Sequence, residues 1–143
     1  MQTQVFLNVS NPDLRGYVVW LPATGAGRWE QAAHEQAWRV PDKRIRRYFD
    51  ATAHLGNTYA PLLHLTGTGP AWDVYLVFGP EARWDAQPPA PKFWMHQLPA
   101  RRAPPEQLLD PVKMTHAIQD LLGAEKKAAQ LRDAGGLASP VVQ

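Results

Sequence analysis

The chain has 143 residues, of which 45% are hydrophobic and 20% charged, with a formal net charge of +2 at pH 7. That is the composition of one globular domain with room for a core, and the charge is too small to argue for nucleic acid by itself. Cysteine is absent, which excludes disulfides, thiolate catalysis and Cys-ligated zinc or iron–sulfur centres.

No apolar run approaches the ~20 residues of a membrane span. The N-terminus lacks a basic region followed by an apolar core, so the expected location is cytoplasmic. Six Trp and fourteen Pro are high counts for this length. Trp is a large core and interface residue whose N–H needs a partner when buried.

Val5 to Val9 reads as a short strand, and Ser10-Asn11-Pro12-Asp13 as a turn cluster. Tyr17 to Leu21 is apolar throughout and reads as a central strand, ended by Pro22 and Gly25-Ala26-Gly27. Arg28 to Val40 carries Trp29, Ala33 and Ala37 at helical spacing and is predicted helical, with Pro41-Asp42 as its stop. Arg44 to Asp50 reads as an edge strand. Asp50 is placed to cap a helix from Ala51 to about Leu65, with Leu55, Tyr59, Leu62 and Leu63 on its apolar face.

Thr66 to Pro70 is the loop into the densest β-branched and aromatic run of the chain, Val74-Tyr75-Leu76-Val77-Phe78. A continuous apolar run of this kind suits a strand covered on both faces. Gly79-Pro80-Glu81 is a turn signal, and Ala82 to Trp84 is predicted to return as the second strand of a central hairpin.

From 85 to 105, Pro88, Pro89, Pro91, Pro99, Pro104 and Pro105 argue against a regular helix or inner strand. The apolar Phe93-Trp94-Met95-His96-Gln97-Leu98 in its midst predicts an ordered Pro-rich aromatic loop laid on the domain. Asp110-Pro111 opens a predicted helix to about Arg132 with Val112, Ile118, Leu121, Leu122 and Leu131 as its stripe. The domain is expected over 1–132, with 133–143 as a flexible tail.

The element order from Tyr17 to Leu131 resembles the thioredoxin fold. Tyr17-Val18-Val19-Trp20-Leu21-Pro22 followed by Gly25-Ala26-Gly27-Arg28 looks like the first central strand running into the active-site loop and helix. Asp50, with Leu55, Gly56 and Tyr59-Ala60-Pro61-Leu62, looks like the Asp-ended strand and its helix. Gly69-Pro70 ahead of Trp72 to Phe78 looks like the loop that carries a cis-proline in that family. An alternative register puts the active-site loop at Asn11 to Arg15.

The resemblance implies an α/β domain with a central sheet and flanking helices. It also implies a cysteine-less, redox-inactive bacterial member, because Gly25, Ala26, Gly27 and Arg28 stand where the redox pair would be.

The candidate chemistry is sparse. Gly25, Gly27 and Arg28 before a helix would suit an anion, or form a plain strand-to-helix turn. The five histidines show no His-x-x-x-His pair. His64, Met95 and His96 would suit copper, against surface histidines and a packed Met. Asp73 is a general acid or base if buried, against a carboxylate at an exposed strand start. Ser10 has no evident His–Asp partners.

Lys43, Arg44, Arg46 and Arg47 beside Tyr48 and Phe49 would suit single-stranded nucleic acid, against a charged edge strand. Trp84, Phe93, Trp94, Met95 and Leu98 form either a protein-binding patch or the lid of the core.

The expected function is a non-catalytic interaction or assembly module, with no cofactor and no metal. Its partner would be another protein or a second copy. The contact surface is expected at Gly25, Gly27, Arg28, Pro70, Trp72, Phe93, Trp94, Met95 and His96. The alternatives are a small metal- or ligand-dependent enzyme using His64, Asp73 and His96, and a weak nucleic-acid binder through Lys43 to Phe49.

Overall fold

The computed structural model describes residues 2–22 and 42–135. In chain order these form α1 (Gln2–Asn8), β1 (Gly16–Trp20), β2 (Ile45–Phe49), α2 (His54–Leu62), β3 (Val74–Val77), β4 (Phe93–His96), a 3-10 turn (Pro105–Gln107) and α3 (Pro111–Gly135). The class is mixed α/β, with small sheets and a long C-terminal helix. The predicted helix Arg28 to Val40 and the Gly25–Gly27 loop lie outside the described residues. No helix among the described residues is long and apolar enough to cross a membrane.

β1 and β2 pair in parallel, with Tyr17 opposite Arg46 and Val19 opposite Tyr48. Asp50 closes β2 and organises the turn into α2. Its carboxylate accepts hydrogen bonds from the Leu55 N–H (2.8 Å), the Thr52 N–H (3.2 Å) and the Thr52 hydroxyl (3.0 Å). Partial burial raises the Asp50 carboxyl, but the bonds from Leu55, Thr52 and His54 outweigh it and hold the pKa below its ordinary value. The predicted cap is corrected: α2 begins at His54 and not at Ala51, its N-cap position is Ala53, which makes no side-chain cap bond, and Asp50 reaches the first turn from outside the helix through the Leu55 N–H.

The predicted hairpin is corrected. β3 pairs antiparallel with β4, not with Ala82 to Trp84, and the register sets Val74 opposite His96 and Val77 opposite Phe93. Bonds from Gln97 N–H to Asp73 C=O (2.9 Å) and from Lys92 N–H to Val77 C=O (2.8 Å) extend the ladder at both ends. Phe93–His96 contains no proline, so it keeps every donor a ladder needs. The flanking prolines bound the strand without interrupting it, and the predicted aromatic loop is a strand at its centre.

Val5 to Val9 is corrected from strand to helix: α1 spans Gln2–Asn8, and the Val9 N–H donates to Val5 C=O (2.9 Å). A run this short fits either period, and packing decides it. Val5 and Val9, four apart, fall on one helical face and enter the core beside Met95, Met114 and Ile118.

The core has two parts, one on each face of β3–β4. Tyr75, Val77, Phe93 and Met95 meet Val5, Val9, Met114 and Ile118 from α1 and α3. Val74, Leu76, Phe78 and Trp94 meet Tyr59, Leu63 and Ala71 at α2 and its following loop. The expectation of a strand covered on both faces therefore holds for β3. Met114, Ile118 and Leu122, at i, i+4 and i+8, anchor α3 to the first part. Val112 and Leu131 of the predicted stripe are exposed. Asp110 caps this helix, its Oδ1 accepting from the N–H groups of Val112 (2.8 Å) and Lys113 (3.2 Å).

Among the described residues the strands form two separate two-stranded sheets, and every peptide bond, that before Pro70 included, is trans. One close passage between elements lies at Gly56. A Cβ there would stand 2.7 Å from Leu21 Cδ1 and from Pro70 Cβ, and 2.8 Å from Ala71 O. The Ala71 N–H also donates to Gly56 C=O (2.9 Å). In an open helix, Gly→Ala stabilises by about 1 kcal/mol. Here the sign reverses: Gly56→Ala is expected to cost about 1–3 kcal/mol by overpacking. Urea unfolding of the two proteins reads this directly, and an unchanged or raised midpoint would show that the passage is loose.

Candidate functional site

The residues singled out from the sequence separate into buried and exposed sets. Met95 and His96 are each 1% exposed, so neither belongs to a contact surface. Met95 fills the first part of the core, and its sulfur accepts the Asp110 N–H at 3.5 Å. Phe93 and Trp94 are half-buried and pack into opposite parts of the core. Of the expected contact residues, Pro70 is half-buried and Trp72 is 44% exposed. Gly25, Gly27 and Arg28 lie outside the described residues.

Both ring nitrogens of His96 are in use. The Leu98 N–H donates to Nδ1 (3.1 Å), and Nε2 lies 2.9 Å from Pro104 C=O. Only the neutral tautomer carrying its proton on Nε2 satisfies both contacts. The imidazole thus ties β4 to the segment after it and keeps no lone pair for a metal. His64 is exposed in a left-handed conformation (φ 53°) just past α2. Among the described residues no three His, Asp or Glu side chains gather as a cation site. The proposed His64–Met95–His96 ligand set is therefore corrected: two of its members are consumed in the core.

Asp73 stands exposed at the entrance to β3 with φ 47°, so the buried acid–base reading is corrected as well. Burial, aided by the Asp73 charge, raises the Tyr75 hydroxyl pKa, and that hydroxyl donates to Gln97 Oε1 at 2.6 Å. An open cleft between the end of α1 and α3 is lined by Asn8, Ser10, Asn11, Gln119, Leu122 and Lys126 among others, and none of the expected contact residues that lie among the described residues lines it.

The basic stretch also divides. Arg44 is structural. Its guanidinium donates to the carbonyls of Phe6 (2.7 Å), Val9 and Asn11 (3.1 Å), lies 4.9 Å from the Phe6 ring centroid, and pairs with Asp42 at 2.7 Å. It fastens α1 and the turn after it to the start of β2. Lys43 and Arg46 are exposed, and Arg47 is half-buried.

An aromatic cluster assembled from three segments was not foreseen from the sequence. Tyr59 of α2 is 1% exposed, and its hydroxyl donates to Pro89 C=O at 2.9 Å. Burial pushes this hydroxyl up to a pKa of about 12. The Trp84 ring centroid lies 6.0 Å from that of Tyr59 and 5.3 Å from that of Phe78, the latter edge-on. Trp84 nonetheless stays 55% exposed. It is an indole held by rings beneath it and open to solvent above. The only local signal was the Pro-rich segment itself, whose carbonyl at Pro89 binds the Tyr59 hydroxyl.

Comparison of this chain with protein-family models, with curated proteins and with solved structures finds no match.

Proposed function

We propose that this domain is a non-catalytic protein-interaction module built on a thioredoxin-like plan. With no cysteine in the chain, thiol–disulfide exchange is excluded on composition. The plan is supported by element order: a parallel pair ending in Asp50, a helix, the Gly69-Pro70 loop, an antiparallel pair and a terminal helix.

The observation that carries the reading is Trp84. Its contacts with Tyr59 and Phe78 fix the ring in place before any partner arrives, so little side-chain freedom is left to lose on binding. Exposed, preorganised Trp is the residue type most enriched among binding hot spots. Among the described residues Trp72 is the second exposed indole. The contact surface in this reading is Trp84 with Trp72, in place of Met95 and His96.

The test is a quantitative affinity capture from native cell extract, with nuclease present. Wild type is compared with Trp84→Ala, Trp72→Ala and, as an exposed control, His64→Ala. The reading expects one stoichiometric protein that Trp84→Ala releases and His64→Ala retains, with all variants melting as wild type does. Equal capture by wild type and both Trp variants would refute it.

A further inference from the structure

We propose that the solvent face of the β1–β2 pair is a stacking platform for single-stranded nucleic acid. It is a different surface from the Trp84 cluster, and it stands or falls separately. Alternation and register put Tyr17 and Val19 of β1 on the same face as Arg46 and Tyr48 of β2. The Tyr17 and Tyr48 rings stack across the strands, with centroids 6.3 Å apart and planes 29° from parallel. Tyr17 is 63% exposed and Tyr48 49%. A parallel pair ordinarily has both faces covered, so two stacked rings open to solvent mark a surface that awaits a planar occupant.

The charges beside them choose the occupant. Arg46 is exposed and directly opposite Tyr17, and Lys43 is exposed where the chain enters β2. Among the described residues neither has an ion-pair partner. The carboxylates that bracket β2 are committed elsewhere: Asp42 to Arg44, and Asp50 to Thr52 and Leu55. Among the described residues the face therefore keeps net positive charge next to aromatic rings. Bases stacking on the rings, with phosphates against Arg46 and Lys43, use both features. A second copy docking by two-fold symmetry would instead set like charges against each other.

The test is fluorescence anisotropy with a labelled oligothymidylate of about 12 nucleotides at about 50 mM salt, against duplex of the same length. Tyr17→Ala and Tyr48→Ala are each expected to weaken single-strand binding about tenfold, whereas Tyr48→Phe keeps it, because stacking needs the ring and not the hydroxyl. Arg46→Ala is expected to lower the salt slope by roughly 0.7, the share of one phosphate contact on a single strand. Melting curves of each variant confirm the fold. Absence of single-strand binding, binding unchanged in both Tyr→Ala variants, or displacement by polyglutamate as readily as by unlabelled oligonucleotide would each overturn the proposal.

Discussion

Tyr59→Ala is expected to lower stability by about 3–5 kcal/mol, the range for deleting a fully buried aromatic ring. The ring is 1% exposed and packs with Leu63 and Ala71, with Leu76, Phe78 and Trp94 around them. Removing it opens a cavity at the junction of α2, β3 and β4. It also strips Trp84 of a ring neighbour and leaves the Pro89 carbonyl without the Tyr59 hydroxyl as donor. For a domain whose total stability is about 5–15 kcal/mol, that is a large share of the whole.

Tyr59→Phe separates the two contributions. It keeps the ring and loses only the hydroxyl bond, an expected cost of about 1 kcal/mol. Urea titrations of wild type and both variants measure the pair of effects. Equal losses in the two variants would mean that the hydroxyl bond to Pro89, rather than ring packing, holds the region together. On the proposed function, Tyr59→Phe also leaves partner capture intact, because Trp84 keeps its seat.

The second large effect is at Arg44. Arg44→Ala is expected to cost about 2–3 kcal/mol, because the carbonyls of Phe6, Val9 and Asn11 lose a charged donor together. Arg44→Lys is expected to recover less than half. A lone ammonium has no planar fork with which to reach three carbonyls and the Asp42 carboxylate at once.

The same contact sets a pH dependence. The side-chain and backbone hydrogen bonds from Arg44 hold the Asp42 carboxyl down at about 2, against an ordinary value of 3.8. A carboxyl depressed in the folded state contributes stability above its unfolded pKa and loses it as pH falls through the folded one. The gap between wild type and Arg44→Ala is therefore expected to narrow as pH falls from about 5 toward about 2. Denaturant midpoints of both proteins across that range read it, and a constant gap would show that Asp42 adds nothing to the carbonyl contacts.

Several local features were legible in the residues. The β3 run is apolar at every position, and a strand of that kind needs both faces covered, which β3 has. Asp110 announced the start of its helix, and Asp50 the turn into α2, because a short carboxylate ahead of free N–H groups binds them whatever the surroundings. Mixed α/β class and the start of α3 came from the same short-range chemistry.

The partner of β3 was not legible. Ala82 to Trp84 was nearest in sequence, but Phe93–His96 has the donors and the apolar length to fill both parts of the core. The fate of the candidate residues was equally tertiary. Nothing local distinguishes Arg44 from Arg46; α1 arriving beside β2 takes the first into a network of carbonyls and leaves the second in water. His96 looked like a ligand until Leu98 and Pro104 closed on its two nitrogens.

The two exposed aromatic features are each built from residues distant in the chain, Tyr17 with Tyr48 and Tyr59 with Trp84. Residue type and local hydrogen bonding marked β3 and the start of α3, whereas packing made a helix of the run before Val9 and a strand of Phe93–His96. Which side chains were left to face solvent was decided only when the segments met, because burial is a property of packing between segments and of no segment alone.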